Sequence, residues 1–266
     1  MSTTSIDQSS ENAVATTTGR KAALWRYFFY CELMKILRNP PAVLFGIGFP
    51  TIFFLIFGNT FPLAATSTLA GLAAYGAFIV SFQTFSMSLA NERALGWNKL
   101  LRSTPMTPLL YLGTKFLVII ITGMLSLLLL FVVAALNGKV HMSLMIWAEL
   151  LGMMIVGMIP LSLTGIFLGF VGSANLTNVL ATLLGLVLSF GSGLFVPLQI
   201  MPAAVQNIAP YLPTYQLGQL AWIIVGSSYR DNQSLWVHLL VLVGYAAIFA
   251  VLSVWAYMRD ENKNFS

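Results

Sequence analysis

The chain reads as an all-α integral membrane protein with six transmembrane helices, on three observations. Hydrophobic residues make up 58% of its 266 residues and charged residues only 8%, whereas a soluble domain carries about a quarter charged. The apolar residues fall into long runs, and about 20 such residues are needed to cross a bilayer as a helix. The Lys and Arg side chains sit at the ends of those runs rather than in a stripe. The net charge of +5 therefore describes membrane topology and not a nucleic-acid surface.

Each element has a local signature. Residues 1–19 are rich in Ser, Thr, Asn and Gln and nearly lack apolar side chains, as expected of a disordered cytoplasmic tail. The first apolar run begins too late for a signal peptide and lacks a small-residue cleavage site. In 20–38, Trp25, Tyr27, Phe28, Phe29 and Tyr30 are mixed with Arg20, Lys21, Arg26, Lys35 and Arg38, a composition suited to the headgroup layer. Six apolar runs follow at roughly 41–61, 69–90, 109–136, 145–171, 176–196 and 235–258. Asn39-Pro40-Pro41 opens the first, where a missing backbone N–H costs nothing, and Gly46, Gly48 and Pro50 can kink it. Residues 197–226 are too apolar for a solvated loop and too broken by Pro202, Pro210 and Pro213 for one span. A re-entrant pair of short helices fits, with Trp222 in the outer aromatic belt and the hairpin capping a cavity or protein surface. Residues 259–266 form a short tail.

Orientation follows from the basic residues. The N-terminal flank holds five, the 91–115 segment four (Arg93, Lys99, Arg102, Lys115) and the C-terminal tail two (Arg259, Lys263), against Lys139 and Arg230 on the other side. Both termini and the 91–108 segment are expected in the cytoplasm.

The 91–108 stretch, NERALGWNKLLRSTPMTP, is the one charge-bearing segment between long apolar runs in mid-chain. As a helix it places Glu92, Gly96, Lys99 and Arg102 on one side and Ala90, Ala94, Trp97 and Leu101 on the other. Pro105 stops it and Pro108 opens the next span. The expectation is an interfacial helix over 91–104 with its charges toward the cytoplasm; an ordinary basic loop that only fixes topology is the alternative. Glu92-Arg93, Gly96, Lys99, Leu101-Arg102 and Thr104-Pro105 closely resemble the segment between the second and third spans of type-2 ABC exporter permeases. Leu194-Phe195-Val196-Pro197, Met201-Pro202, Ile208-Ala209-Pro210 and Leu212-Pro213-Thr214 are similar to that family's hairpin after the fifth span. The resemblance runs from about residue 20 to the C-terminal end, closest to the compact drug-exporter branch. It implies an elbow helix at 20–38 and a six-span domain over 39–258. It also implies a coupling helix carrying Glu92, Arg93, Gly96, Trp97, Lys99, Leu101, Arg102, Thr104 and Pro105, which docks on two ATP-binding subunits. The implied complex is a homodimer in a bacterial inner membrane, with ATP and Mg on the partner and no cofactor on this chain. The expected cargo is an amphipathic drug-like molecule or lipid; a permease for lipid-linked polysaccharide, or a non-transport scaffold that recruits a soluble protein, are the alternatives.

The residues themselves carry little chemistry. No G-x-x-x-x-G-K-[ST] phosphate loop, G-x-S-x-G elbow or H-E-x-x-H pair occurs, so the chain is not expected to be an enzyme and its energy must come from a partner or a gradient. Cys31 is alone and His141 and His238 are far apart, which gives neither a disulfide nor a metal site. Proton relays need ionisable groups deep in the spans. The middles of the runs lack them, and Glu149 lies close enough to an end for its carboxylate to reach the surface. Uncharged polar groups do collect. Ser81, Gln83, Thr84, Ser86 and Ser88 thicken the second run, and Asn178, Thr182, Gly185, Ser189 and Ser192 recur on one face of the fifth. That face either packs within the chain or lines a path shared by two protomers. Gly165-x-x-x-Gly169 reads as helix packing.

Overall fold

A computed structural model describes residues 25–38, 43–60, 65–96 and 108–263. It is helical, without a strand among the described residues. The first helix, α1, covers 25–37. A π-helical turn, Val43–Gly48, leads into α2, Phe49–Thr60. Then come α3, Ala65–Ala94; α4, Pro108–Leu136; α5, Leu144–Val171; and α6, Ala174–Gly191. Between α6 and the last helix lie two short helices, α7 (Ala203–Ile208) and α8 (Pro213–Ile224), joined by 3-10 turns. The last helix is α9, Leu235–Lys263.

Five of these helices, α3, α4, α5, α6 and α9, are long and apolar enough to cross a membrane. The run expected at 41–61 is represented by the Val43–Gly48 turn and α2, whose apolar stretch Gly46–Gly58 is shorter than the other five. The 197–226 region is a broken pair of short helices because Pro197, Pro202 and Pro213 each stand at a helix start, where proline fits, and cannot continue the helix before them.

α3 is the centre of the bundle. Within its most apolar window 83% of residues are buried, against 22% for α6 and 17% for α9. Its interior is built on Ala70, Ala73, Ala74 and Ala77 beside Leu69 and Phe78, small side chains that let neighbouring helices approach closely. Midway it widens into a π turn over Ile79–Thr84. The Ser81 hydroxyl donates to the Ala77 carbonyl at 2.6 Å and the Ser86 hydroxyl to the Gln83 carbonyl at 3.0 Å. Gly165 of α5 lies so close that a Cβ there would stand 2.8 Å from the Phe82 carbonyl oxygen and 2.9 Å from that of Ser81. One turn on, a Cβ at Gly169 would meet Leu89 at 2.9 Å. The Gly165-x-x-x-Gly169 pair is thus the contact face of α5 on α3. On the opposite side of α5, Phe167 meets Phe249 of α9 edge-on at 5.6 Å, and the Ser253 hydroxyl donates to the Leu163 carbonyl at 3.1 Å.

A glycine with positive φ closes four of the described helices, α3, α4, α6 and α8, of which the first and third bear on the site. α3 does not stop near residue 90; it runs through Asn91–Ala94 and ends at Gly96. The φ of +75° at Gly96 is one that only glycine adopts without strain, and its N–H bonds the Arg93 carbonyl at 3.0 Å. Glu92 and Arg93 are therefore the last turn of a membrane helix, and the helix expected over 91–104 is interrupted after Ala94. α6 ends in a full Schellman motif: the Leu194 N–H reaches the Ser189 carbonyl, the Gly193 N–H reaches that of Phe190, and Gly193 has a φ of +79°.

Candidate functional site

Glu92 sits one turn from the end of α3, and its carboxylate is turned inward, 5% exposed. Tyr111 of α4 donates its hydroxyl to Oε2 at 2.5 Å, and Lys115 of α4 donates its ammonium to Oε1 at 2.6 Å. Lys35 of α1 also pairs with Oε1. The Lys115 ammonium, 3% exposed, reaches Glu32 of α1 at 2.8 Å and lies over the Tyr111 ring at 5.4 Å. Two carboxylates and two ammonium groups thus form one neutral cluster that fastens α1 to the ends of α3 and α4. Phe28 of α1 covers it against Tyr111, with ring centroids 5.9 Å apart. Charges this dry persist only when paired and hydrogen-bonded, and removing one partner of such a pair costs about 3–5 kcal/mol.

Arg93, the next residue, points the other way. Its guanidinium pairs with Asp260 of α9, donating Nε to Oδ2 at 3.1 Å and Nη2 to Oδ1. It also donates to the carbonyls of Gly169 and Gly172 and lies 5.1 Å from the Phe170 ring. Those carbonyls belong to the C-terminal end of α5, where the last turn leaves acceptors unfilled and the helix dipole favours a cation. Successive residues on a helix diverge by 100°. One turn of α3 therefore holds α1 and α4 with Glu92, and α5 and α9 with Arg93, immediately before Gly96.

The helical wheel places Glu92 facing outward on the side shared with Gly96, Lys99 and Arg102, and the structure corrects that direction. The wheel groups residues correctly but does not say which side is covered; here α1 and α4 cover it. Gly96 is the helix terminator. Trp97, Lys99, Leu101, Arg102, Thr104 and Pro105 lie outside the described residues.

Reading the sequence missed Glu32, Lys115 and Tyr111. Lys115 carried a usable signal, since an ammonium seven residues inside a helix that starts at Pro108 needs a partner; grouping it with a basic flank concealed it. Glu149 and His141 are exposed.

The polar face of α6 is divided. Gly185 abuts Gln83 of α3, Ser189 is buried and donates to the Gly185 carbonyl at 2.7 Å, and Ser192 pairs with Thr214 of α8. These three pack inside the chain. Asn178 and Thr182 stand at the open edge: the Asn178 amide donates to Asn91 at 3.1 Å, and Thr182 accepts from Gln83 at 3.5 Å.

At the opposite end of the bundle, α8 and the 225–234 loop build a second polar cluster. His238 of α9, fully buried, places Nδ1 2.5 Å from Gln216 Oε1 and Nε2 3.2 Å from Asp231 Oδ1. Gln216 donates its Nε2 to the Pro210 carbonyl, which fixes the amide with its oxygen toward the imidazole, so Nδ1 is a donor. Tyr215 donates to Asp231 Oδ2 at 3.0 Å, and the Asp231 N–H donates to Gln219 Oε1 at 2.9 Å. Burial first, then the neighbouring carboxylate, pushes the Tyr215 phenol above its ordinary range. A cleft of about 210 Å³ opens beside this network. Among the described residues no group of His, Cys, Asp and Glu is arranged to hold a metal.

Two comparisons bear on this arrangement. A family model described as ABC-2 family transporter protein matches residues 59–255, which include Glu92, Arg93 and Lys115. A protein of Bacillus subtilis (strain 168) named "Putative transport permease YvfS" is 24% identical over 237 residues, spanning 86% of this chain and 95% of the relative. With the family match covering most of the helical bundle, the chain belongs to the ABC-2 transporter family as a multi-pass membrane permease.

Proposed function

We propose that the chain is the membrane subunit of an ATP-driven exporter, working as a pair with two separately encoded ATP-binding subunits. The observation that carries this reading is the Glu92–Arg93 turn. It grips both halves of the bundle just before the 97–107 segment, so a push on that segment is transmitted to α1 and α4 through Glu92 and to α5 and α9 through Arg93. The segment itself, with Trp97, Lys99, Leu101, Arg102, Thr104 and Pro105, is the proposed contact with the ATP-binding subunit, and the 25–37 helix is the proposed elbow at the cytoplasmic surface. The distribution of Lys and Arg supports cytoplasmic termini in a bacterial inner membrane. Val43–Gly48 with α2 completes six crossings, and 197–226 enters and leaves the outer surface. ATP and Mg belong to the partner.

Middle stretches of the spans without ionisable groups favour an amphipathic small molecule or lipid over a proton-coupled cargo. Asn178 and Thr182, at the open edge of α6, are proposed to face the path between two protomers; Gly185, Ser189 and Ser192 behind them hold that edge onto α3. The test is co-purification with the ATP-binding subunit and vesicle uptake across a panel of drugs and lipids. Export and cargo-stimulated ATP hydrolysis by the complex, with neither from the isolated chain, are expected. Stoichiometric hydrolysis by the isolated chain would overturn the scheme.

A further inference from the structure

The cleft beside the hairpin has a lining whose parts recognise different things. Tyr215, Trp222 and Tyr229 supply three aromatic rings, and Asp231 a carboxylate. Aromatic faces and a carboxylate together are what an ammonium group selects. Arg230 also lines the cleft; it is exposed, and no hydrogen bond holds its guanidinium among the described residues. That fork is suited to bidentate phosphate. Pro197, Leu198, Gln199 and Gln206 complete the lining, and the wall beside Asp231 is fixed by hydrogen bonds. Gln219 is 2% exposed, with its Oε1 fixed by the Asp231 N–H, and the Asp231 carboxylate is oriented by Tyr215 and His238.

Asp231, which also accepts from the Gln233 N–H, disfavours a purely anionic ligand, and Arg230 disfavours a bare cation. A wholly apolar ligand would desolvate Arg230 and Asp231 without pairing them. A zwitterion satisfies both charges. The cleft, about 210 Å³, is below the usual ~300 Å³ of a drug site and suits a headgroup rather than a whole lipid. The hairpin also exposes Ile200 and Ile208, on which acyl chains can lie.

We propose that this cleft binds a zwitterionic phospho-amine headgroup, its ammonium against Asp231 and the aromatic rings and its phosphate on Arg230. The inference rests on the hairpin lying at a membrane surface, as in the proposed function, and not on what the permease carries.

The experiment uses the full chain in detergent, with bound lipid read by native mass spectrometry. Phosphatidylethanolamine and phosphatidylglycerol are added in competition, with soluble O-phosphoethanolamine in a third arm. One phosphatidylethanolamine should be retained per chain, with phosphatidylglycerol held about tenfold or more weakly, as the loss of one charge-assisted contact implies. Arg230→Gln should reduce phosphatidylethanolamine occupancy by a similar factor. Because the Arg230 side chain is exposed, and glutamine keeps the backbone N–H that bonds the Ser227 carbonyl, that variant is expected to fold whatever its binding. Asp231→Asn should let phosphatidylglycerol compete. Displacement by O-phosphoethanolamine at concentrations comparable to the lipid identifies a soluble phospho-amine as the ligand; retention of lipid against an excess identifies a membrane source. Equal retention of the two lipids by the unaltered chain, or unchanged occupancy in Arg230→Gln, would overturn the proposal. Since the readout does not involve transport, a failed export assay leaves it standing, and its failure leaves the permease reading standing.

Discussion

The two ends of the bundle are both fastened by buried polar groups, but of different kinds. At the Glu92 end the fasteners are whole charges: Glu32, Lys35, Glu92 and Lys115 neutralise one another, and Arg93 neutralises Asp260. At the hairpin end, hydroxyls and amides carry most of the bonds, with Asp231 as the one carboxylate among His238, Tyr215, Gln216 and Gln219. Separating Glu92 from Lys115 is costly, because it strands an ion in a dry site. Around the single Asp231 carboxylate, the uncharged members of a network beside a cleft can exchange protein partners for water at a small net change. The first end is fastened by ion pairs and the second by a mixed network around one carboxylate.

That contrast ranks the consequences of mutation. The largest effect should come from Lys115→Ala, which leaves Glu32 and Glu92 with only the half-exposed Lys35 ammonium between them. A loss of about 3–5 kcal/mol is expected, read as a lowered midpoint in detergent unfolding. Pairing Lys115→Met with Glu92→Gln removes both charges and should restore most of it. If the double variant is as unstable as the single, the cluster is not held by charge.

Arg93→Ala comes next, since it removes the ion pair with Asp260 and uncovers the carbonyls of Gly169 and Gly172. A double-mutant cycle with Asp260→Ala should give a coupling of about 1–3 kcal/mol. Additive effects would mean that the pair contributes nothing as a pair.

Gly165→Ala tests whether the π turn of α3 is as tightly gripped as the 2.8 Å approach to the Phe82 carbonyl indicates. Backbone must shift to admit the methyl, at a cost of about 1–3 kcal/mol, visible as a lower unfolding midpoint. An unchanged midpoint would show that the helices part easily there.

The smallest of the four should be His238→Gln at the hairpin end. A glutamine side chain can still reach one of the two partners, so about 1 kcal/mol is expected, measurable as faster amide exchange in 213–224 and none in α3. Exchange that spreads through α3 would show that the two ends are not separable, and the comparison would fail.

Much of this was legible in the sequence, and what was not has a common cause. The apolar runs, the proline-broken hairpin and the Gly165–Gly169 contact are local patterns, and local patterns survive folding. The direction of Glu92 is not local: Lys35 lies 57 residues away and Lys115 lies 23 away. Nothing in a helical wheel of 91–104 says that α1 folds back onto it. The same limit hid the division of the α6 face, because Gly185, Ser189 and Ser192 look identical in spacing to Asn178 and Thr182 and differ only in what α3 and α8 place against them. His238 has no nearby histidine or cysteine in the sequence, yet its partners are an amide and a carboxylate that the hairpin delivers.

The central claim is that the Glu92–Arg93 turn transmits motion between the ATP-binding subunit and both halves of the bundle. It is tested most directly in the reconstituted complex carrying Lys115→Met with Glu92→Gln, in which stability is expected to be largely kept while the charged grip of Glu92 on α1 and α4 is removed. ATP hydrolysis should continue with its basal rate, while export falls by about tenfold or more, the factor that a lost contact of roughly 1.4 kcal/mol brings. Export and cargo-stimulated hydrolysis at the level of the unaltered complex would contradict the account.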